Sequence, residues 1–151
     1  MNFSRSLAQK AQNRESITVQ PKEKLIGTKA TITIENYLKG CYFLTCDESN
    51  IDKETIYLIE GKHSKRSVIP SLEDIKDGLV KMILFTNLKE VKVENTKYTP
   101  IPVLKLTSDK KFSKSFLSES QIDILQCLKK EAKRNKFQVL INNIDLQKIN
   151  I

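Results

Sequence analysis

Three strand-like runs follow one another closely in the first half of the chain, and their spacing limits the folds it can adopt. The runs ATITIEN (30–36), CYFLTCD (41–47) and TIYLIEGK (55–62) are rich in β-branched and aromatic residues, which favour strands. A turn at Lys39-Gly40 separates the first two, and the polar segment 48–54 separates the second two. Parallel neighbours need a crossover of a dozen residues or more. The short connections therefore predict a three-stranded antiparallel meander.

A helix is predicted after the meander from its capping residues and its periodicity. Ser71 suits the N-cap position, with Pro70 before it and Asp74 three residues later. Apolar or weakly polar residues then recur at helical spacing and define the expected inner face. They are Leu72, Ile75, Leu79, Met82, Ile83 and Thr86.

The remaining elements complete the order of the fold. Ser118 and Gln121 form a second capping box, and the helix that they start ends near Asn135. Its expected apolar face consists of Ile124, Leu125, Leu128 and Ala132. The other predicted elements are a helix over 3–15, an irregular segment over 16–29, a hairpin of strands 91–93 and 102–107, and a strand over 137–141. This order predicts a single domain of mixed α/β (α+β) class, with one mixed sheet flanked by helices.

Charge and composition narrow the classes of partner and compartment. The formal net charge is +8 and the pI is near 9.4, which favours a polyanionic partner, most often nucleic acid. The alternative is that the charge serves solubility. Three cysteines without a CxxC pair indicate reduced thiols, and the polar N-terminus MNFSRSLAQKAQ has no apolar signal region. These features predict a cytoplasmic protein.

The end of the third run carries the most suggestive chemistry. Side chains alternate across a strand, so Leu58, Glu60 and Lys62 share one face. A carboxylate then lies roughly 6–7 Å along the strand from an ammonium group. A carboxylate is a hard ligand for Mg²⁺, which activates water, and a lysine stabilises phosphate charge. The pair suits metal-assisted phosphodiester hydrolysis. The alternative is a solvated ion pair, which contributes little.

The stretch YLIEGKHSKRSVIPSLEDIKDGLVKMILFTNL (57–88) resembles the PD-(D/E)xK nuclease superfamily, and more narrowly its type II restriction endonuclease-like members. The resemblance covers residues 3–107, with its specific part at 55–88. It implies a restriction endonuclease-like αβββαβ core in which Glu60 binds metal and Lys62 is catalytic. It also implies Mg²⁺ as cofactor and DNA as substrate. The function expected from it is that of a Mg²⁺-dependent endodeoxyribonuclease.

The family pattern requires a first acidic residue close to Glu60, and Asp47 has a suitable spacing in the sequence. The predicted register argues against it. If segment 48–54 closes the hairpin symmetrically, positions that sum to about 101 oppose each other, and Glu60 faces Cys41 or Tyr42. Asp47 then lies on the order of 20 Å away along the strand.

Two other acids are candidates for metal binding. Glu35 would oppose Tyr42 and lie in the row of Glu60, two strands away, on the order of 9–10 Å between backbones. Glu15, on the predicted first helix, is a candidate accessory acid. The alternative for both is a surface charge.

Basic residues follow Lys62 directly. His63, Lys65 and Arg66 are candidates for contacts with DNA phosphates, and the alternative is a solvated loop. The segments SDKKFSKS (108–115) and KKEAKRNK (129–136) are further basic clusters, and Phe112 in the first is a candidate for stacking. The alternative for both, which the pattern favours, is a solvated face.

The doubtful first acid leaves several alternatives open. The chain is an active nuclease, or it is a catalytically degenerate nucleic-acid-binding module of the same fold. The short length is consistent with the C-terminal fragment of a longer enzyme or with a homodimer. The resemblance further implies a DNA methyltransferase as a partner in the same system.

Overall fold

The structure is a computed structural model that describes residues 28–35, 41–88, 91–93 and 96–151. The predicted helix over 3–15, with Glu15, lies outside these residues, and so does most of the segment predicted as irregular. None of the helices in the described part of the chain is long and apolar enough to cross a membrane.

The described residues form seven strands and two helices. The strands are β1 (Thr28–Glu35), β2 (Cys41–Asp52), β3 (Thr55–Ser64), β4 (Val91–Val93), β5 (Thr96–Ser108), β6 (Gln138–Ile141) and β7 (Ile144–Asp145). The helices are α1 (Leu72–Thr86) and α2 (Glu119–Asn135). Single turns of 3₁₀ helix cover Lys114–Phe116 and Leu146–Lys148.

One mixed sheet connects these strands in the order β1-β2-β3-β5-β6-β7, and β4 pairs with β5. β1, β2 and β3 form an antiparallel meander, as predicted. β5 runs parallel to both β3 and β6, and the long connections that such pairs require contain α1 and α2. The prediction of a mixed α/β domain with one mixed sheet is confirmed. β5 is longer than predicted and begins at Thr96 instead of at residue 102.

Both capping boxes form as predicted. The side chain of Ser71 accepts from the backbone of Asp74, and that of Ser118 accepts from the backbone of Gln121. In α2 the predicted residues Leu125, Leu128 and Ala132 are buried.

The inner face of α1 differs from the prediction. Its buried residues are Ile75, Gly78, Met82 and Phe85, whereas Leu72 and Ile83 are 45% and 64% exposed. α1 has apolar residues over more of its circumference than the sheet can cover. Only the row that faces β3 and β5 is buried, and Phe85, which the prediction omitted, belongs to that row.

The core lies between the sheet and the two helices. Alternate residues of the central strands supply it, and they include Ile56, Leu58, Leu104, Leu106, Val139 and Ile141. Within this layer Leu104 pairs with Val139 on one side and with Glu60 on the other. A carboxylate therefore occupies a position in a row of buried aliphatic side chains.

Candidate active site

The hairpin of β2 and β3 has a register different from the predicted one. Its pairs run from Asp52↔Thr55 to Glu48↔Ile59, so only two residues form the turn. Lys53 has a φ of 53°, in the left-handed region that tight hairpin turns use. The prediction of a loop over 48–54 was wrong, because these polar residues continue β2 instead of leaving it. Asp47, the next residue in this register, is therefore level with Glu60.

The two strands diverge at this level. Beyond the Glu48↔Ile59 pair, β2 pairs only with β1 among the described residues, while β3 continues along β5. The carboxylate of Asp47 accepts a hydrogen bond of 2.9 Å from the backbone N–H of Gly61. A register shift between β1 and β2 occurs in the same part of β2, and such irregularities redirect side chains. We call this point, where Asp47 of β2 lies beside Glu60 and Gly61 of β3, the fork.

Glu60 is buried at the fork and is held by two lysines. Its side chain lies in the core row and the residue is 6% exposed. Lys62 Nζ lies 3.2 Å from one carboxylate oxygen, and Lys81 Nζ lies 4.0 Å from the other. Burial of an unpaired carboxylate is very costly in free energy, and the two lysines offset that cost for Glu60. The predicted shared face of Glu60 and Lys62 is confirmed.

The electrostatics of Glu60 reflect both its burial and a neighbouring acid. Burial raises the pKa of the Glu60 carboxyl, and the negative charge of Asp47 raises it further. The hydrogen bond and charge of Lys62, and the charge of Lys81, act in the opposite direction without cancelling that rise. Two carboxylates are therefore held close enough to repel each other, and either a proton or a bound cation relieves such repulsion.

Lys81 was missed by the sequence reasoning. It is carried by α1, and its Nζ donates a hydrogen bond of 2.7 Å to the backbone oxygen of Thr45 in β2. It thereby connects the helix to the strand that carries Asp47. The available signal was its position directly before Met82, at the edge of the apolar face. Such lysines commonly extend along the apolar surface.

Gly78 explains how closely α1 covers the site. A Cβ atom there would lie 3.5 Å from Lys62 Cε and would overlap Leu104 Cδ1. The absence of a side chain lets the helix backbone pack directly over the stem of Lys62. A glycine inside a helix costs about 1 kcal/mol relative to alanine, and here it occupies the contact with β3 and β5.

Glu35 does not lie where the prediction placed it. It pairs with Cys41 at the end of β1, whereas Asp47 is six residues further along β2, on the order of 20 Å at the usual rise per residue. The predicted row that joins Glu35 to Glu60 was wrong because it depended on the wrong hairpin register. Asp47, which that register placed too far away, is the acid at the fork.

The predicted phosphate contacts lie beyond the fork. His63 is on the opposite face of β3 from Lys62, where its Nδ1 lies 2.9 Å from Thr107 Oγ1 and its Nε2 lies 3.3 Å from Asp109 Oδ1. Lys65 and Arg66 are exposed on the bend that follows β3.

The donor set at the fork fits a hard divalent cation. In the described part of the chain, no group of three or more His, Cys, Asp or Glu side chains could hold a metal ion. Mg²⁺ does not require such a group, because it commonly uses one or two carboxylates and keeps several waters. Asp47 and Glu60 supply two carboxylates, and their repulsion favours a cation between them. Comparison of the chain with protein-family models, curated proteins and solved structures gives no match. The geometry of the fork is therefore the basis for a functional proposal.

Proposed function

We propose that the protein is a Mg²⁺-dependent endodeoxyribonuclease with a restriction endonuclease-like fold. The observation that carries the proposal is the convergence of Asp47 and Glu60 at the fork, with Lys62 Nζ 3.2 Å from the Glu60 carboxylate. In the PD-(D/E)xK superfamily, two acids and a lysine lie at the end of a central strand of an αβββαβ core. The described βββα elements, with Asp47, Glu60 and Lys62, resemble that pattern. The net charge of +8 suits a nucleic acid substrate.

Each residue at the fork has a role in this proposal. Asp47 and Glu60 would hold Mg²⁺, which supplies an activated water and polarises the scissile phosphate. The Gly61 N–H fixes the orientation of the Asp47 carboxylate. Lys62 stabilises charge on the phosphate as the water oxygen joins phosphorus and the leaving oxygen departs. Lys81 offsets part of the negative charge of Glu60.

A second buried pair offers a matched control. Glu48 pairs with Ile59, and Lys105 pairs with Gly61, so both lie on the face opposite to Glu60. Glu48 is 8% exposed, and its Oε2 lies 3.7 Å from Lys105 Nζ. Variants of this pair carry the same chemical changes as variants of the fork pair, on the opposite face of the sheet.

The test is nicking and linearisation of supercoiled plasmid DNA with Mg²⁺. We expect Glu60→Gln and Lys62→Met each to lose at least about 100-fold in cleavage rate, as removal of a transition-state contact does. Glu48→Gln and Lys105→Met should stay within about threefold of the wild type, because both side chains lie on the face opposite to Glu60. Folding of every variant is checked by circular dichroism. Full activity of Glu60→Gln, or equal losses in both pairs, would overturn the proposal.

The second candidate function is a catalytically degenerate module that binds nucleic acid. One observation favours it: both carboxylate oxygens of Glu60 already face lysines, which compete with a metal ion for the same charge. This candidate predicts salt-sensitive DNA binding that ignores Mg²⁺ and survives Glu60→Gln. A rise in melting temperature with Mg²⁺, absent from Glu60→Gln, would argue against it.

A further inference from the structure

The loops after β3 and β5 lie side by side at the end of the sheet beyond Lys62. The backbone N–H of Asp109 donates to the Ser64 oxygen at 3.2 Å, and the Ser108 hydroxyl donates to the Ser67 oxygen at 2.6 Å. These hydrogen bonds join the bend 65–69 to the segment 109–117. We call their exposed basic and aromatic side chains the loop surface. It consists of Lys65, Arg66, Lys110, Lys111, Lys114 and Phe116.

The loop surface is strongly basic. Residues 62–70 and 108–118 contain six lysines and arginines and a single acidic residue, Asp109. The carboxylate of Asp109 faces the ring of His63 at 3.3 Å. The five basic side chains of the surface are exposed, so they are available to a polyanion. Exposed cations that line a short path are the usual means of tracking a phosphate backbone.

An exposed aromatic ring lies among these cations. Phe116 is 67% exposed and belongs to a single 3₁₀ turn. The N–H groups of Phe116 and Leu117 donate to the backbone oxygens of Ser113 and Lys114, both at 3.1 Å. Phe112 and Leu117, on either side of this turn, pack against the core. Phe112 was one candidate for stacking, but it is partly buried, whereas Phe116 is exposed. The turn is therefore anchored at both ends, with one ring directed away from the core.

We propose that the loop surface binds nucleic acid that contains unpaired bases, with its cations on the phosphates and Phe116 stacked on one base. The choice of partner rests on the proposed function, because the surface begins three residues after Lys62. Lysines around an exposed phenyl ring also suit an anionic membrane. The proposed function favours nucleic acid over a membrane, because its substrate is DNA and Lys62 of the fork lies three residues before the loop surface.

The first experiment compares two triple variants with the same change in charge. One variant, the loop triple, removes three cations from the loop surface through the changes Lys110→Gln, Lys111→Gln and Lys114→Gln. The control triple, Lys130→Gln, Lys133→Gln and Lys136→Gln, removes three exposed cations from the C-terminal part of α2. These lie roughly 16 to 26 Å along the helix from its first residue, Glu119. Binding to a labelled single-stranded oligonucleotide is measured in EDTA across a salt series. We expect the loop triple to weaken binding at least about tenfold and to reduce the salt slope by about 2. The control triple should change both much less.

The second experiment isolates the ring of Phe116. Phe116→Ala and Phe116→Leu are compared with Phe116→Trp on single-stranded, bulged and fully paired DNA. Loss of one base stack corresponds to a weakening of about 5- to 100-fold. We expect it for alanine and leucine on the single-stranded and bulged DNA, with tryptophan close to the wild type. Fully paired DNA should respond less, because its bases are already stacked.

Each outcome bears on one of the two proposals. Equal effects of the loop triple and the control triple on DNA binding would overturn the proposal for the loop surface, even if the wild type cleaves plasmid. Unchanged binding by Phe116→Ala and Phe116→Leu would overturn it as well. Binding to anionic phosphatidylserine vesicles, retained by Phe116→Leu, without binding to DNA would overturn it as well. Specific loss of DNA binding in the loop triple would support it even if no DNA is cleaved, in which case the nuclease proposal alone fails.

Discussion

Two buried glutamates lie close together in the sheet, on opposite faces, and they differ in the groups that surround them. Glu60 and Glu48 are 6% and 8% exposed, and each has a lysine within 4 Å, Lys62 and Lys105. Burial and a lysine partner are therefore common to both pairs. Buried charges need such a partner wherever they occur, so neither feature alone identifies a functional site.

The difference lies in what else surrounds each carboxylate. Glu60 stands at the fork, where β2 leaves β3 and the carboxylate of Asp47 approaches. Glu48 lies within the paired part of the hairpin, opposite Ile59. Its Oε2 is buried without a hydrogen-bond partner among the described residues. A second acid beside Glu60 gives a cation two carboxylates to bind, whereas the charge partner of Glu48 is Lys105.

The sharpest test of this comparison changes the acid that only the fork has. Asp47→Asn keeps the shape of the side chain and retains an oxygen for the Gly61 N–H, but removes the charge. We expect plasmid cleavage to fall at least about 100-fold, because the second carboxylate for the metal is lost. Glu48→Gln, one residue away on the other face, should stay within about threefold. Comparable activity of the two variants would show that the fork is not the distinguishing feature.

A smaller effect is expected at the second lysine of the fork. Lys81 donates to Thr45 and lies 4.0 Å from Glu60, so it orients the site through other residues. We expect Lys81→Met to lower the cleavage rate about tenfold and Lys81→Arg to restore most of it, as one charge-assisted contact allows. A positioning role also predicts that Lys81→Met shifts the pH profile of cleavage, because a positive charge beside Glu60 is lost. A loss of rate with an unchanged profile would indicate structural damage alone.

The fork also shows which features of the molecule the sequence could predict and which it could not. The meander, both capping boxes and the shared face of Glu60 and Lys62 depend on local patterns, and all of them appear in the structure. The acid at the fork depends on the hairpin register, which the turn length sets. Polar residues in 48–54 favoured a loop, but they extend the strand up to a two-residue turn at Lys53. That difference moved Glu60 from the level of Cys41 to the level of Asp47.

Lys81 shows a second limit of the same kind. Its contact with Thr45 joins positions 36 residues apart, and no local pattern connects them. The inner face of α1 was also only partly predicted, since the sequence offers more apolar positions than the sheet buries. Tertiary contact, rather than periodicity, decides which row of the helix faces the site.

The smallest expected effect concerns the pH dependence of folding stability. Burial and the charge of Asp47 raise the pKa of Glu60 above its ordinary value of 4.5. A carboxyl with a raised pKa in the folded state binds its proton more tightly there than in the unfolded chain. Its ionisation therefore destabilises the fold as the pH rises through that window, and the destabilisation is absent below the ordinary value.

Urea unfolding across this range measures the effect. The stability of the wild type relative to Glu60→Gln should fall as the pH rises from about 4 to about 7. Asp47→Asn should weaken this dependence, because one of its two causes is removed while burial remains. Added Mg²⁺ should weaken it in the wild type, since a cation at the fork stabilises the ionised carboxylate. A relative stability that rises with pH would mean that Lys62 and Lys81 more than offset burial and repulsion at Glu60. Glu60 would then be a stably ion-paired carboxylate, as Glu48 is with Lys105, and not a carboxylate that needs a cation.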